Sequence, residues 1–349
     1  MSIKLSSNSK SILNDGYYIE KRESWFARLD NLFNKKPDIW LDEHVFALNG
    51  ITGRSKLDMY QNPEEWIIDS LEDLAKKITE TEKENVFVPA CLSYGPYGVH
   101  FIDKIFCANV FFKHDQWWND YIKTPIGSLE KPDIESSEAF GIAKRACLAF
   151  LDQNIRLPLF GLPTIASALN IIVNLYGQEF LMAMLTDEEA AAHDLRVVQD
   201  ILVAIHQWYR KTLPAENRQL VVPAHRTLPR DFGQAGGCST ALISADCYNS
   251  FVAPLDAQLL GVYPNGGMMH LCGGHVQHIK TFRNMKELRA VQLNDRASYD
   301  IDKYYNELRD DQIIYLNPCD GMTAETALEI TGGNRLVLVG NYGGLRKRH

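Results

Sequence analysis

Long hydrophobic runs are scarce in this chain. The longest apolar stretches, residues 162–175 and 180–185, are interrupted by proline, glycine and polar residues. They fall well short of the about 20 apolar residues that a membrane-spanning helix needs. The N-terminus has neither a continuous apolar segment nor a small-residue cleavage site, so no secretory signal is predicted. We therefore expect a cytoplasmic protein with no membrane partner.

The chain also has fewer basic than acidic residues, and it has an odd number of cysteines. Lys and Arg total 36 against 44 Asp and Glu, a net charge of −8 that repels phosphate backbones, so no nucleic-acid partner is expected. Seven cysteines in a chain too long to need disulfide support indicate free thiols. Neither a G-x-G-x-x-G after the first predicted strand nor a P-loop is present, so no nucleotide site is indicated.

The sequence does contain an alternation of helical and strand patterns. Apolar residues recur at helical spacing over 62–84, 137–154, 164–176, 187–212 and 245–260. Short apolar runs occur at 86–92, 157–161, 219–223, 267–272, 290–293, 313–316 and 336–339, while the Gly-rich segment 231–239 is interpreted as a loop.

Repeated β–α units without a linker predict a parallel sheet in one unit. We expect an α/β fold: a single (β/α)8 TIM barrel over residues 86–349, with an N-terminal helical extension, residues 1–85, packed on it. An open doubly wound sheet is the alternative. Towards the C-terminus there are more strand-like runs than a barrel needs, so either 290–293 or 313–316 is expected to belong to an inserted excursion.

Reactive side chains follow several predicted strands, whose carboxyl ends meet at one rim of a barrel. His270 and Cys272 lie two residues apart in a strand and therefore share a face. Cys319 follows the run 313–316 and would complete a three-ligand zinc site with an open fourth position. The alternative is an accidental H-x-C pair, with Cys319 a small buried residue.

Four segments in one order resemble the uroporphyrinogen decarboxylase superfamily. Residues 267–273 with His278 are similar to its H-x-C-G strand, and residues 243–254 to the helix before that strand. Residues 161–167 resemble its G-x-P-x-T-x-A-S turn, and 336–341 its L-x-G-N strand. The resemblance implies a (β/α)8 barrel enzyme.

Two absences favour one branch of that superfamily. The R-Q-A-G-R stretch of true decarboxylases has only a faint counterpart at Gly53-Arg54, and their C-terminal Gly-His-Gly segment is missing. The resemblance therefore implies a zinc-dependent methyltransferase that moves a methyl group from a corrinoid protein to a thiol acceptor. Its Zn2+ would be held by His270, Cys272 and Cys319, and methylcobalamin would come on a partner protein.

Two other classes of function stay open at this point. One is a metal-free decarboxylase acting on a tetrapyrrole or another polycarboxylate. The other is a non-catalytic barrel that only binds a ligand or a corrinoid partner.

Three further residues are candidate catalytic groups for a small-molecule substrate. Asp231 would orient substrate or support His270, His225 would supply a cation for a substrate carboxylate, and Tyr94 would line the pocket. The alternatives are a turn aspartate, a salt bridge at the rim and an ordinary Gly/Pro turn. The aromatic patch at 111–118 is typical of a core or a subunit interface, and a homodimer is possible.

Overall fold

The computed structural model describes residues 4–34, 47–48, 50–82, 89–219 and 226–340. Its helices, in chain order, are α1 (Ser7–Ile12), α2 (Gly16–Phe33), α3 (Pro63–Glu82), α4 (Phe101–Ile105), α5 (Glu138–Asp152), α6 (Ala168–Tyr176), α7 (Gln178–Thr186), α8 (Glu188–Thr212), α9 (Ala253–Leu260), α10 (Ile279–Asn284), α11 (Ile301–Glu307) and α12 (Ala324–Thr331). A helical turn (Ala245–Cys247) and a π-helical turn (Tyr248–Val252) lead into α9.

The strands are β1 (Ala47–Leu48), β2 (Ile51–Thr52), β3 (Ala90–Ser93), β4 (Val110–Lys113), β5 (Gln116–Asn119), β6 (Leu159–Gly161), β7 (Arg218–Gln219), β8 (Gly233–Gly236), β9 (Gly267–Cys272), β10 (Leu288–Asn294), β11 (Ile313–Leu316) and β12 (Leu336–Val339). Most of the helices and strands expected from the sequence are present, with shifted ends.

The described strands form two parallel sheets rather than one closed ring. One sheet has the order β1-β12-β11-β10-β9-β8 and the other β2-β3-β6-β7. β1 and β2 are neighbours in the chain but pair with different sheets, so this segment links the two. The fold is thus mixed α/β with parallel sheets, and the pairing of the described strands does not confirm the complete barrel, which stays a prediction.

Both sheets contribute side chains to one inner core. Cys91 of β3 and Leu159 of β6 belong to the same buried cluster as Met268, Ala290 and Val337 of the larger sheet. Helix α2 completes this cluster with five apolar side chains: Trp25, Phe26, Leu29, Leu32 and Phe33. The division of the chain at residue 85 stays a prediction, and β1 and β2 on its N-terminal side already pair with the sheets.

The two runs suspected of forming an excursion are both strands of the larger sheet. β10 pairs with β9 on one side and β11 on the other, and β11 pairs in turn with β12. The departure from the expected strand pattern is instead an antiparallel hairpin, β4–β5, which contains the aromatic patch. Trp117 of the hairpin packs against Tyr60 and Tyr97.

Strand β8 lies inside the segment that the sequence presents as a loop. Its Gly-Gln-Ala-Gly sequence has neither β-branched residues nor apolar alternation. Glycine is required at its start, because a Cβ on Gly233 would lie 2.0 Å from the Tyr263 ring. The unexpected strand places Cys238 just beyond a strand's carboxyl end, beside β9.

No single helix in the described ranges is long and apolar enough to cross a membrane. Helices α6 and α7 meet the length and composition criteria only as a pair, which is bent by 111°.

Candidate metal centre

Three potential metal ligands converge at the carboxyl ends of β8 and β9. One ligand atom from each of Cys238, His270 and Cys272 lies within 4.8 Å of the other two. β8 and β9 pair in parallel up to Gly236 and His270, and the Gly237 N–H then donates to the His270 carbonyl at 2.8 Å. This backbone pairing positions Cys238 opposite the H-x-C strand, so the three residues form a group that could hold a metal ion.

The His270 ring is held in one orientation by the neighbouring strand. Its Nδ1 lies 2.8 Å from Oε1 of Gln292, the residue opposite it in β10. The Gln292 amide nitrogen donates to Asn317 Oδ1 at 2.9 Å, which makes Oε1 the acceptor for a proton on Nδ1. Nε2 therefore keeps its lone pair and can serve as the ligand atom.

A hydrogen bond from the Cys272 thiol to the Cys238 sulfur joins two of the three potential ligands. Their sulfur atoms are 2.7 Å apart and both cysteines are free. The hydrogen bond from Cys272 lowers the pKa of Cys238 to about 7, and the Arg226 guanidinium adds to this effect against the cost of burial. The pKa of Cys272 is raised, chiefly because its thiol donates that hydrogen bond. A thiolate is thus accessible at Cys238 near neutral pH.

Arg226 places a partly buried positive charge beside the three ligands. Its Nη2 lies 3.4 Å from His270 Nε2. Burial lowers the pKa of Arg226, while the nearby Cys238 and Cys272 sulfurs oppose that shift. In the described part of the chain no carboxylate forms an ion pair with Arg226. Its charge is therefore available to a thiolate or to a bound ligand.

The loops that carry the two cysteines are tied together by His275. This buried ring contacts Thr240 Oγ1 at 2.9 Å through Nδ1 and the Cys272 carbonyl at 2.9 Å through Nε2. Gly273 turns the chain after Cys272 with a φ of +103°, a value that side-chain-bearing residues rarely adopt. His275 therefore supports the site without lying among its three ligands.

The ligands open onto a cavity of about 310 Å³. Its polar lining includes Arg226, Gln234 and the three potential ligands. Residues 162–166, directly after β6, also line it, together with Asn170 and Asn174 of α6 and His206 of α8. A small molecule bound here would contact a thiol, an imidazole and an apolar surface at once.

Cys319 is not the third member of this group, and Cys238 takes the place that the sequence assigned to it. The Cys319 sulfur lies 3.9 Å from the Asp295 carbonyl oxygen, in a turn after β11. β11 is separated from β9 by β10, and neighbouring strands are about 4.8 Å apart, so a residue after β11 starts two strand spacings away. Cys238 follows the strand directly beside β9.

Asp231 also lies away from the site. It precedes β8, at the opposite end of the strand from Cys238, and its carboxylate forms an ion pair with Arg218. The support for His270 that was expected from Asp231 comes from Gln292 instead. The expectation failed because the segment was interpreted as a loop after a strand rather than as a strand itself.

The other two candidate catalytic residues have different outcomes. Tyr94 is fully buried, its hydroxyl donates to the Met59 carbonyl, and its ring packs against Trp66, so it is a core residue outside the cavity lining. His225 lies outside the described residues. Its neighbour Arg226 reaches the cavity.

Two site residues gave weak sequence signals. Gln292 is a polar residue inside an otherwise apolar strand, a pattern that indicates a buried hydrogen bond. Cys238 directly follows two glycines, which allow close backbone approach at the end of a strand.

No protein-family model and no curated protein matches the chain. Among solved structures it is similar to a methyltransferase from Methanosarcina mazei, with a TM-score of 0.61 and 11% identity over 90% of this chain and 91% of that one. A B12-independent methionine synthase from Shewanella sp. W3-18-1, in complex with selenomethionine, gives a TM-score of 0.45 and 11% identity over 87% and 91% of the two chains. The chain therefore has the overall fold of the Methanosarcina methyltransferase, and at this identity the likeness concerns the fold alone.

Proposed function

We propose that the protein is a zinc-dependent methyltransferase that methylates a thiol. The observation that carries this proposal is the Cys238–His270–Cys272 group at the wall of a cavity. Two thiolates and one imidazole are a donor set suited to zinc, and three protein ligands leave a fourth position for a substrate. The shared fold and the sequence resemblance support methyl transfer as the reaction.

The residues have separable tasks in this proposal. Cys238, His270 and Cys272 would hold Zn2+, whose positive charge favours the thiolate form of a coordinated substrate thiol. Gln292 keeps His270 Nε2 free for binding by accepting the proton of Nδ1. Arg226 stabilises negative charge beside the ligands. The apolar side chains within residues 162–166 would limit water in the cavity, which strengthens these interactions.

The methyl donor is proposed to be a methylated corrinoid carried by a separate protein. In that reaction the substrate thiolate would form the new sulfur–carbon bond as the methyl–cobalt bond breaks, and the electron pair of that bond would stay with cobalt. A cytoplasmic location and a homodimer remain predictions from the sequence.

The cavity fits a polycarboxylate substrate poorly. Burying several carboxylates requires several cationic partners. Among the described residues that line the cavity, Arg226 is the one with a permanent positive charge. Asp231, the carboxylate that a metal-free decarboxylase would use, lies at the other end of β8.

Metal analysis of matched cysteine variants tests the proposal. We expect about one equivalent of zinc in protein purified without chelator, a large loss in Cys238→Ser, and full retention in Cys319→Ser, because one thiolate of a three-ligand site is removed only in the first. The same samples are assayed for methyl transfer from free methylcobalamin to small thiols. Less than about half an equivalent of zinc in the parent protein, unchanged by Cys238→Ser, would contradict the proposal.

A further inference from the structure

The thiols of Cys238 and Cys272 are close enough to react with each other. Both cysteines are free, and their sulfur atoms are 2.7 Å apart. A disulfide bond is about 2.05 Å long, so the two sulfurs need to approach by only about 0.7 Å to form one. The exposed Cys107 differs, because its thiol contacts the Ile105 carbonyl at 4.0 Å rather than another sulfur.

The backbone beneath the two cysteines has the spacing that a disulfide requires. Gly236 of β8 is opposite His270 of β9, and each cysteine follows one of these residues by two positions. The chains are still joined at the next residue, where the Gly237 N–H donates to the His270 carbonyl at 2.8 Å. Adjacent strands are about 4.8 Å apart. That spacing lies within the about 4.4–6.8 Å that separates the Cα atoms of disulfide-bonded cysteines.

A small oxidant can reach the pair. Cys238 and Cys272 both line the cavity of about 310 Å³, and neither is fully buried. Hydrogen peroxide is little larger than a water molecule, whose share of liquid volume is about 30 Å³. In contrast, Cys91 and Cys147 are buried. The pair therefore combines access with a neighbouring thiol.

We propose that Cys238 and Cys272 form a site of reversible oxidation, at which hydrogen peroxide converts the two thiols into a disulfide. The first thiol takes one oxygen atom from the peroxide and becomes a sulfenic acid, and one water is released. The second thiol attacks that sulfur, which forms the S–S bond and releases a second water. Two thiols are oxidised while one peroxide is reduced to two waters. A dithiol reverses the change by thiol–disulfide exchange.

The disulfide removes two of the three potential metal ligands. Zinc binds deprotonated thiols, which a disulfide lacks, so His270 would be left alone of the three. Bound metal and the disulfide therefore exclude each other at this site. The disulfide itself depends only on the proximity of the two thiols and their access to the cavity. Its effect on zinc and on methyl transfer rests on the proposed function.

Peptide mapping tests the oxidation in the absence of metal. The full chain is freed of metal with a chelator and treated with hydrogen peroxide, which is increased until the exposed Cys107 is oxidised. Remaining thiols are alkylated, and the digested protein is analysed by mass spectrometry. We expect linked peptides that contain Cys238 and Cys272, formed before Cys107 reacts and lost with dithiothreitol. Oxidation of Cys107 without this link would overturn the proposal.

Matched variants test whether one thiol protects the other. In Cys238→Ser and in Cys272→Ser the remaining thiol has no partner. We therefore expect no disulfide and, in at least one of the two, oxidation to a sulfinic acid that dithiothreitol does not reverse. Cys319→Ser should form the disulfide as the parent protein does. Full recovery of the thiol in both single variants after the same treatment would contradict the role of the pair.

Zinc binding distinguishes this proposal from the proposed function. The zinc affinities of the reduced and oxidised proteins are measured by competition with a chromophoric chelator. We expect oxidation to weaken binding by more than the about 10- to 100-fold that the loss of a residue supporting a ligand costs. Equal affinity in the two forms would contradict the exclusion of metal by the disulfide. A reversible disulfide in a protein that binds no zinc in either form would support the oxidation site and contradict the methyltransferase.

Discussion

The two sheets contribute different chemistry to one cavity. The larger sheet supplies Cys238, His270 and Cys272, all at the ends of strands paired with each other. The smaller sheet supplies a mostly apolar part of the lining, residues 162–166, in the loop that follows β6. Strands hold ligand atoms in fixed positions, while a loop can adapt to the shape of a substrate. If the proposed function is correct, metal affinity should depend on the larger sheet, and the apolar contacts to a substrate should depend on the loop of the smaller one.

The larger sheet also has a buried carboxyl group behind it. Asp256 of α9 accepts a hydrogen bond from the Tyr248 hydroxyl at 2.9 Å, and that hydroxyl lies 4.0 Å from the Met269 sulfur in β9. Burial raises the pKa of Asp256 to about 7 despite this hydrogen bond. The folded protein therefore binds a proton that the unfolded chain releases near its ordinary pKa of 3.8.

The largest expected effect is a pH dependence of stability caused by Asp256. Because the pKa of Asp256 is higher in the folded state, its contribution to the free energy of unfolding should be greatest below pH 4. That contribution should fall as the pH rises to 7. The loss amounts to about 4 kcal/mol. Denaturant unfolding at several pH values should show this slope relative to Asp256→Asn, which cannot ionise. The exposed variant Asp246→Asn should keep the parent slope, and parallel curves for the parent and Asp256→Asn would exclude this role.

The next effect concerns the strand that orients His270. Gln292→Leu removes the acceptor for Nδ1, so we expect zinc affinity to fall by about 10- to 100-fold in competition with a chromophoric chelator. Gln292→Glu restores an acceptor and should restore affinity. Equal zinc affinity in the parent protein and both Gln292 variants would show that this residue does not contribute to zinc affinity.

The smallest effect is expected for substrate binding at residues 162–166, the mostly apolar part of the cavity lining. Ile165→Ala removes buried apolar surface from the cavity and should weaken binding of 3-methylbutane-1-thiol by about fivefold in calorimetry. Zinc affinity should not change, since Ile165 contributes no ligand. A loss of zinc in this variant would show that metal affinity also depends on the loop after β6, and not on the larger sheet alone.

The sequence predicts best those strands that have a clear local pattern of apolar residues. β9, β11 and β12 are continuous apolar strands, and the strand period of two brings His270 and Cys272 to one face. β8 begins with Gly233 because Tyr263 packs against its backbone there, a tertiary contact with no local pattern. Missing β8 meant missing Cys238.

The other site residues depend on which strands are neighbours. Cys238 joins His270 because β8 is beside β9, and Cys319 does not because β10 intervenes. Strand order is a property of the whole fold, so spacing along the chain could not distinguish the two cysteines. His206 lies on the buried face of a long amphipathic helix, where helical periodicity cannot separate a core residue from one facing a cavity.

The segment that links the two sheets has a consequence for synthesis of the chain. β2 finds its partner β3 about 40 residues later, whereas Ala47 of β1 pairs with Leu338, about 290 residues away. At about 5–20 residues per second, a ribosome needs about 15–60 s to produce that partner. Throughout this time the edge of β1 is unpaired, and such an edge can pair with another chain. β1, the first of the described strands to be made, is thus among the last to be paired, and the nascent protein should need protection from aggregation longest at this strand.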